Sequence, residues 1–297
     1  MTPQLKGHGA MLMFSALVAG SFSLGSLAAN EIAPAALNAA RFALAACVIG
    51  AAVLALGGVP RTALRAPWRY GLLGGLFAIY FVLMFEGLKT AAPVSAAAVF
   101  TLTPVMAAGF GWLLMRQITT LRIALGLVIG ACGALWVIFR ADLDALRAFH
   151  IGSGEVTYFW GCAAHALYTP LVRKLNRGES PLVFTFGMLV AGCLVLLVWG
   201  WGDIRQTDWA SLPVIVWITL IYVALFASAA TFVLLQFATL HLPASKVMAY
   251  TYLTPSWVIL WEVALGNGAP PLLVFGGIAI TVAALLVLLR EEPQPAR

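Results

Sequence analysis

Apolar residues run along this chain in long unbroken stretches instead of alternating with polar ones. Val183 to Trp201, for example, contains no charged residue. A helix that spans a membrane needs roughly 20 mainly apolar residues, whereas the strands of an outer-membrane barrel alternate apolar and polar. Reading the runs between their breakers predicts ten helical spans, at 8–29, 34–57, 68–88, 93–116, 119–139, 151–174, 180–201, 212–240, 243–265 and 269–289. Pro34, Pro67, Pro93, Pro181, Pro213, Pro243 and Pro270-Pro271 fall at or near the starts, where a missing backbone N–H costs least. The longest polar connection runs from Arg140 to His150, and a tail follows at 291–297.

The pattern repeats. Phe81-Val82-Leu83-Met84 returns as Phe232-Val233-Leu234-Leu235, and Leu102-Thr103-Pro104 as Leu253-Thr254-Pro255, both 151 positions later. Gly9 with Phe14 similarly matches Gly154 with Phe159, 145 positions on. The chain is therefore expected to be two five-helix repeats, 1–147 and 148–290, with 291–297 as a cytoplasmic tail. Five is odd, so the second copy enters the membrane from the opposite side. That is the inverted repeat of secondary transporters, with substrate bound between the halves. The first run ends in Ser26-Leu27-Ala28, like a cleavable signal, but its later counterpart favours a retained helix.

Composition sharpens the reading. Hydrophobic residues make up 62% of the 297 and charged residues 9%, with mean hydropathy +0.98. Average proteins carry about 25% charged residues, so the solvent here is expected to be lipid. The net charge of +6 forms no basic face for nucleic acid, because the cations sit in short loops. With the N-terminus cytoplasmic, Arg41, Lys89, Arg140, Arg147 and Arg205 fall outside and the other twelve of the 17 lysines and arginines inside. That bias puts both termini in the cytoplasm. Cys47, Cys132, Cys162 and Cys193 lack metal-ligand spacing and read as helix-packing residues. No metal or cofactor motif appears.

Polar groups at membrane depth are costly unless they face a cavity or a partner. Pro104 and Pro255 free the carbonyls of Phe100 and Thr251. These kinks could line a wet cavity and offer acceptors to an ammonium, or be bends satisfied by Thr101, Thr103, Thr254 and Ser256. His165, with Tyr168 one turn on, could line the cavity, carry a proton or only donate a structural hydrogen bond. Glu86 and Lys89 read as an interfacial ion pair, with Glu262 equally shallow. Arg41 could pair with either glutamate, bind a carboxylate or snorkel outward. The middle of the bundle is expected to hold no lysine or arginine, which argues against sugar-phosphate exchange. Trp199, Trp201, Trp209 and Tyr70 read as interface anchors. Gly126, Gly130, Gly133 and Gly276-Gly277 read as packing residues that seat helices five and ten on their own repeats.

The duplicated architecture, with a Thr-Pro in helices four and nine, resembles the drug/metabolite transporter superfamily of the EamA type. Phe14-Ser15, Tyr80, Tyr168 and Tyr252-Leu253-Thr254-Pro255 make the chain most similar to the bacterial aromatic amino acid exporters. The resemblance implies a basket-shaped bundle around a central cavity, lined by Phe14, Ser15, Tyr80, Thr101, Thr103, His165, Tyr168, Tyr252 and Ser256. It further implies export of amino acids or related metabolites across the bacterial inner membrane by a monomer, without cofactor. His165 and Thr103 stand where that exporter is expected to carry tryptophans, which fits a broader amino acid range. Organic-cation efflux is the alternative, and it calls for a deep carboxylate that helix one lacks. A membrane enzyme would need clustered nucleophile, base or metal ligands. Here His8, His150, His165 and His241 are scattered.

Overall fold

The computed structural model describes residues 2–118, 120–139, 142–148, 151–268 and 271–289. Arg140, His150, Pro270, Arg290 and the 291–297 tail lie outside them. Among the described residues every regular element is helical. The first half contributes α1 (Pro3–Ala28), α2 (Pro34–Ala55), α3 (Trp68–Leu88), α4 (Pro93–Phe100), α5 (Thr103–Met115) and α6 (Leu121–Ile138). After the short α7 (Leu143–Arg147) come α8 (Ser153–Leu175), α9 (Pro181–Trp199), α10 (Trp201–Gln206), α11 (Val214–Ala224) and α12 (Thr231–His241). The chain ends with α13 (Ala244–Ala249), α14 (Thr254–Ala264) and α15 (Val274–Leu289). A π turn, Leu225–Ala230, joins α11 to α12, and a 3-10 turn, Tyr250–Leu253, joins α13 to α14.

The starts follow from local chemistry. Pro34, Pro93 and Pro181 open α2, α4 and α9, and Pro67, Pro213 and Pro243 immediately precede α3, α11 and α13. The hydroxyls of Thr2, Thr120 and Ser180 accept the N–H of Leu5, Ile123 and Val183, satisfying first-turn donors. The polar 140–150 connection, expected as a loop, holds α7, with Asp144 and Arg147 paired across one turn at 3.2 Å.

Among the described residues, seven helical stretches are long and apolar enough to cross a membrane. They are Pro3–Ala28, Pro34–Ala55, Trp68–Leu88, Ser95–Met115, Leu121–Ile138, Pro181–Trp199 and Val214–His241. The run through α8 is less apolar because Glu155, Arg173 and Lys174 occupy its ends. The run through α13 and α14 is divided by the 3-10 turn, and α15 has 16 residues. Val198 and Leu272 are 83% and 86% exposed, while Arg41 and Arg69 are fully buried. Such an inversion suits a lipid exterior, where backbone polar groups are satisfied within helices.

The main helix packing runs between the halves. α3 lies against α8 and α9, α1 against α12 and α14, α2 against α9, and α6 against α15. Glycine permits the closest approaches: a Cβ on Gly74 would sit 2.5 Å from the Gly192 nitrogen, and one on Gly133 2.9 Å from the Gly277 oxygen. α6 and α15, the expected helices five and ten, therefore pack chiefly on each other and only slightly on their own halves. Gly130 receives the Tyr252 ring, while Gly276 has open space around it.

Two other expectations are corrected. Tyr70 is a core residue, with its hydroxyl donating to the Ala63 carbonyl and its ring on Phe184. Trp199 and Trp201 are exposed, as anchors require, and Trp209 is half-buried and bonded to Ile204. Cys47 and Cys132 point outward, so of the four cysteines Cys162 alone is fully buried.

One buried ion pair ties the N-terminal end of α3 to the loop after α8. Arg69 Nη2 lies 2.6 Å from Glu179 Oε1, and the guanidinium also donates to the carbonyls of Arg65, Ala66 and Leu175. Burial pushes the Glu179 carboxyl up. The hydrogen bonds from Arg69 and from the Arg177 backbone N–H outweigh burial and hold it below the ordinary carboxylate value. The expected Glu86–Lys89 pair is present at 2.8 Å, partly exposed.

Candidate functional site

A small cavity lies at the centre, between α1, α3, α8 and the π turn before α12. Phe14, Val18 and Ser21 share one face of α1, and Phe77, Tyr80, Phe81 and Met84 share one face of α3, by helical spacing. His165 closes the cavity from α8, and Ala227, Thr231 and Phe232 close it from the second half. Its volume is about 10 Å3, room for one water at most. A solute larger than water does not fit in this arrangement.

The wall is built from stacked rings. His165 lies parallel to Tyr80 at 4.5 Å between centroids and to Phe100 at 5.7 Å, with Phe14 at 6.5 Å. The repeat-related Phe81 and Phe232 stack on each other at 5.7 Å and 14°, and Phe42 meets both edge-on. Ring pairs of this kind contribute about 0.5–1.5 kcal/mol each beyond burial. Three polar atoms of the lining, Ser21 Oγ, Thr231 Oγ1 and His165 Nδ1, are buried without a hydrogen-bond partner among the described residues. A buried polar group without a partner is costly, and these three converge on one cavity.

The expected cavity residues divide. Phe14, Tyr80 and His165 line this cavity together. Tyr168 stands one layer behind, stacked on Phe77 at 3.8 Å, with its hydroxyl accepting from Gln236 at 2.7 Å. Ser15 faces another way, donating to the Leu12 carbonyl and accepting from Trp257 of α14. The Tyr252 ring covers Gly130 of α6 and is not among the lining residues. Ser256 is buried with its hydroxyl unpartnered among the described residues, away from the lining. Thr101 lies on a different, almost wholly apolar groove of about 490 Å3 between the α4–α5 break, α6 and α8. Leu102, Val105 and Ile151 on that groove are exposed, so its open side faces the lipid.

Both Thr-Pro pairs open the second piece of a broken helix, α5 and α14. Each freed carbonyl meets a partner within its own half. Thr103 Oγ1 donates to the Phe100 carbonyl at 2.7 Å, and the Thr254 N–H serves the Thr251 carbonyl. Thr103 and Thr251 then meet across the halves, hydroxyl to hydroxyl, at 3.2 Å. Phe100, at the first kink, faces the His165 ring.

Sequence reasoning missed Val18, Ser21, Phe77, Phe81, Met84, Ala227, Thr231 and Phe232 as lining residues, and two of its three alternatives for Arg41 fail. Phe77, Tyr80, Phe81 and Met84 recur at helical spacing, which was a readable signal. Arg41 neither snorkels nor meets Glu86 or Glu262; Glu262 instead takes the Asn267 side chain. It is fully buried against the π turn, with its guanidinium carbon 3.6 Å from the Phe81 ring centre. The expectation that every lysine and arginine avoids the interior is overturned.

Comparison with known proteins adds to this geometry. Residues 5–139 and 152–290 each match the model described as the EamA-like transporter family. The chain is 26% identical over 278 residues to a protein of Bacillus subtilis (strain 168) named "Uncharacterized transporter YyaM", covering 93% of this chain and 91% of that one. A solved crystal structure at 22% identity superposes with a TM-score of 0.72 over 96% of both chains, a likeness of fold.

Proposed function

The chain belongs to the EamA-like transporter family, and from that premise we propose that it exports amino acids, aromatic ones among them, or related metabolites. The route is the central chamber, and the mechanism is alternating access between two inverted five-helix repeats of ten spans. The observation that carries this reading is the chamber itself, where stacked aromatic rings and three unpartnered polar atoms converge at the junction of the halves. An aromatic wall suits an amino acid side chain, and a ring face attracts its ammonium by about 0.5–2 kcal/mol.

The packing supports the inverted arrangement. If α1 corresponds to α8 and α3 to the α11–α12 pair, then the α1–α12 and α3–α8 contacts are one contact seen twice. The α2–α9 and α6–α15 contacts each join a helix to its own counterpart. That is the pairing a two-fold axis in the membrane plane produces. Efflux of organic cations is less favoured. The buried carboxylates among the described residues, Glu155 and Glu179, lie at helix ends outside the lining.

The transport reading is tested in proteoliposomes that hold only this protein, loaded with a panel of amino acids. Tyr80→Ala and His165→Ala are expected to slow phenylalanine flux on the order of tenfold while changing alanine flux far less. Unchanged flux for every amino acid in both variants would remove these residues from the route, and no flux above protein-free vesicles would remove the reading.

In the same reading the protein sits in a bacterial inner membrane with both termini cytoplasmic. Single cysteines replacing Arg65 and Asp142, in a background lacking Cys47, Cys132, Cys162 and Cys193, test it. An impermeant thiol reagent is expected to label position 142 in intact cells and position 65 only after permeabilisation. Labelling of both from one side contradicts the topology.

A further inference from the structure

Arg41 is a cation deep in an apolar bundle, with no carboxylate within 4 Å among the described residues. Its partners are all neutral. Nε donates to Ser228 Oγ at 2.5 Å, Nη2 to the Ala227 carbonyl at 2.7 Å, and Nη1 weakly to Asn38 Oδ1 at 3.4 Å. A guanidinium carries five N–H donors, so one N–H on each terminal nitrogen has no acceptor among the described residues. A buried charge is ordinarily paired, because neutral dipoles recover only part of the hydration it loses.

The position of the charge matters as much as its lack of a counter-ion. Phe81, under the guanidinium, and Ala227, whose carbonyl it holds, are both lining residues of the central chamber. Arg41 therefore stands one layer behind the wall, on the side where the π turn interrupts the helix. Turns of this kind are concentrated at functional sites. The planar guanidinium matches a carboxylate with two parallel hydrogen bonds, which neither a carbonyl nor a hydroxyl can supply.

We infer that Arg41 is the anion subsite of the central chamber and that the transported solutes are carboxylates with an apolar or aromatic body. This rests on the reading of the chamber as the transport route. As the chamber opens, the solute carboxylate takes the place of the Ala227 carbonyl and the Ser228 hydroxyl on the guanidinium. The apolar body lies along Phe81 and Phe232. A solute that is only cationic meets like charge and is rejected, which separates this protein from an exporter of organic cations.

Three probes of the same shape decide the matter: phenylalanine, phenylpyruvate, which lacks the ammonium, and phenethyltrimethylammonium, which lacks the carboxylate and is permanently charged. Their uptake by proteoliposomes is measured at neutral pH for the native protein, Arg41→Lys and Arg41→Gln, after subtracting protein-free vesicles. The native protein is expected to carry both acids on the order of 30-fold or more faster than the cation. Arg41→Gln is expected to bring this ratio to within a few-fold, and Arg41→Lys to retain part of it. Because the readout is a ratio within one variant, a loss of folded protein cancels. A native ratio near one, or a ratio preserved in Arg41→Gln, overturns the carboxylate assignment and leaves the transport reading standing. No flux of any probe by the native protein overturns both.

Discussion

Gly74→Ala lowers the stability of the folded bundle by about 1–3 kcal/mol, whereas Gly75→Ala leaves it unchanged or raises it by up to about 1 kcal/mol. The two glycines are neighbours on α3 and carry the same intrinsic helical penalty. Only their surroundings differ. A Cβ at 74 would lie 2.5 Å from the Gly192 nitrogen and 2.6 Å from the Met188 oxygen, both backbone atoms of α9 that no side-chain rotation can move. At 75 nothing lies within 4 Å. The alanine at 74 must push α3 and α9 apart and forfeit the dispersion contacts that hold helices together in lipid. Equilibrium unfolding in mixed micelles with increasing SDS compares the two directly. Equal effects would mean that this approach is not a determinant of stability.

Glu179→Ala costs about 3 kcal/mol at neutral pH, the lower end for a broken buried pair. The lower end applies because three backbone carbonyls continue to hold Arg69. The loss depends on pH with a definite sign. The carboxyl is held below its ordinary value of about 4.3 in the folded protein. Its contribution is therefore fully present above that value and is lost as the pH falls through the lower, folded one. Native protein and variant should differ most near pH 7 and converge in strong acid. A difference that stays constant down to pH 3 would assign the effect to packing instead of charge.

The ends of helices were far more legible in the sequence than their faces. α3 occupies Trp68–Leu88, the expected span, because Pro67 and the Lys89 boundary punctuate it. The faces were obscured because 62% of the residues are apolar and lipid accepts the same side chains as the core. Tyr70, read as an anchor, and Cys47, read as a packing residue, exchange those environments for this reason. Arg41 was counted with the outer cations by its distance from a helix end. Its acceptors lie 186 and 187 residues away, and no local pattern announces a π turn. The repeat itself was readable in the sequence, and it has a counterpart at the centre of the bundle. Phe81 and Phe232, at matching positions of the two repeats, meet there.

The π turn also bears on which insertions and deletions the chain tolerates. Deleting one residue from an α-helix rotates everything beyond it by about 100°, which in a packed bundle turns each buried side chain toward a wrong neighbour. A π turn already contains one residue in excess of the α-helical count. Removing one position from Leu225–Ala230 thus restores ordinary winding while α11 and α12 keep their faces toward α1, α2 and α9. A variant one residue shorter here is expected to keep the same bundle but to lose the wide turn that presents Ala227 and Ser228 to Arg41. The length of this single stretch then governs whether the Ala227 carbonyl and the Ser228 hydroxyl reach the guanidinium of Arg41.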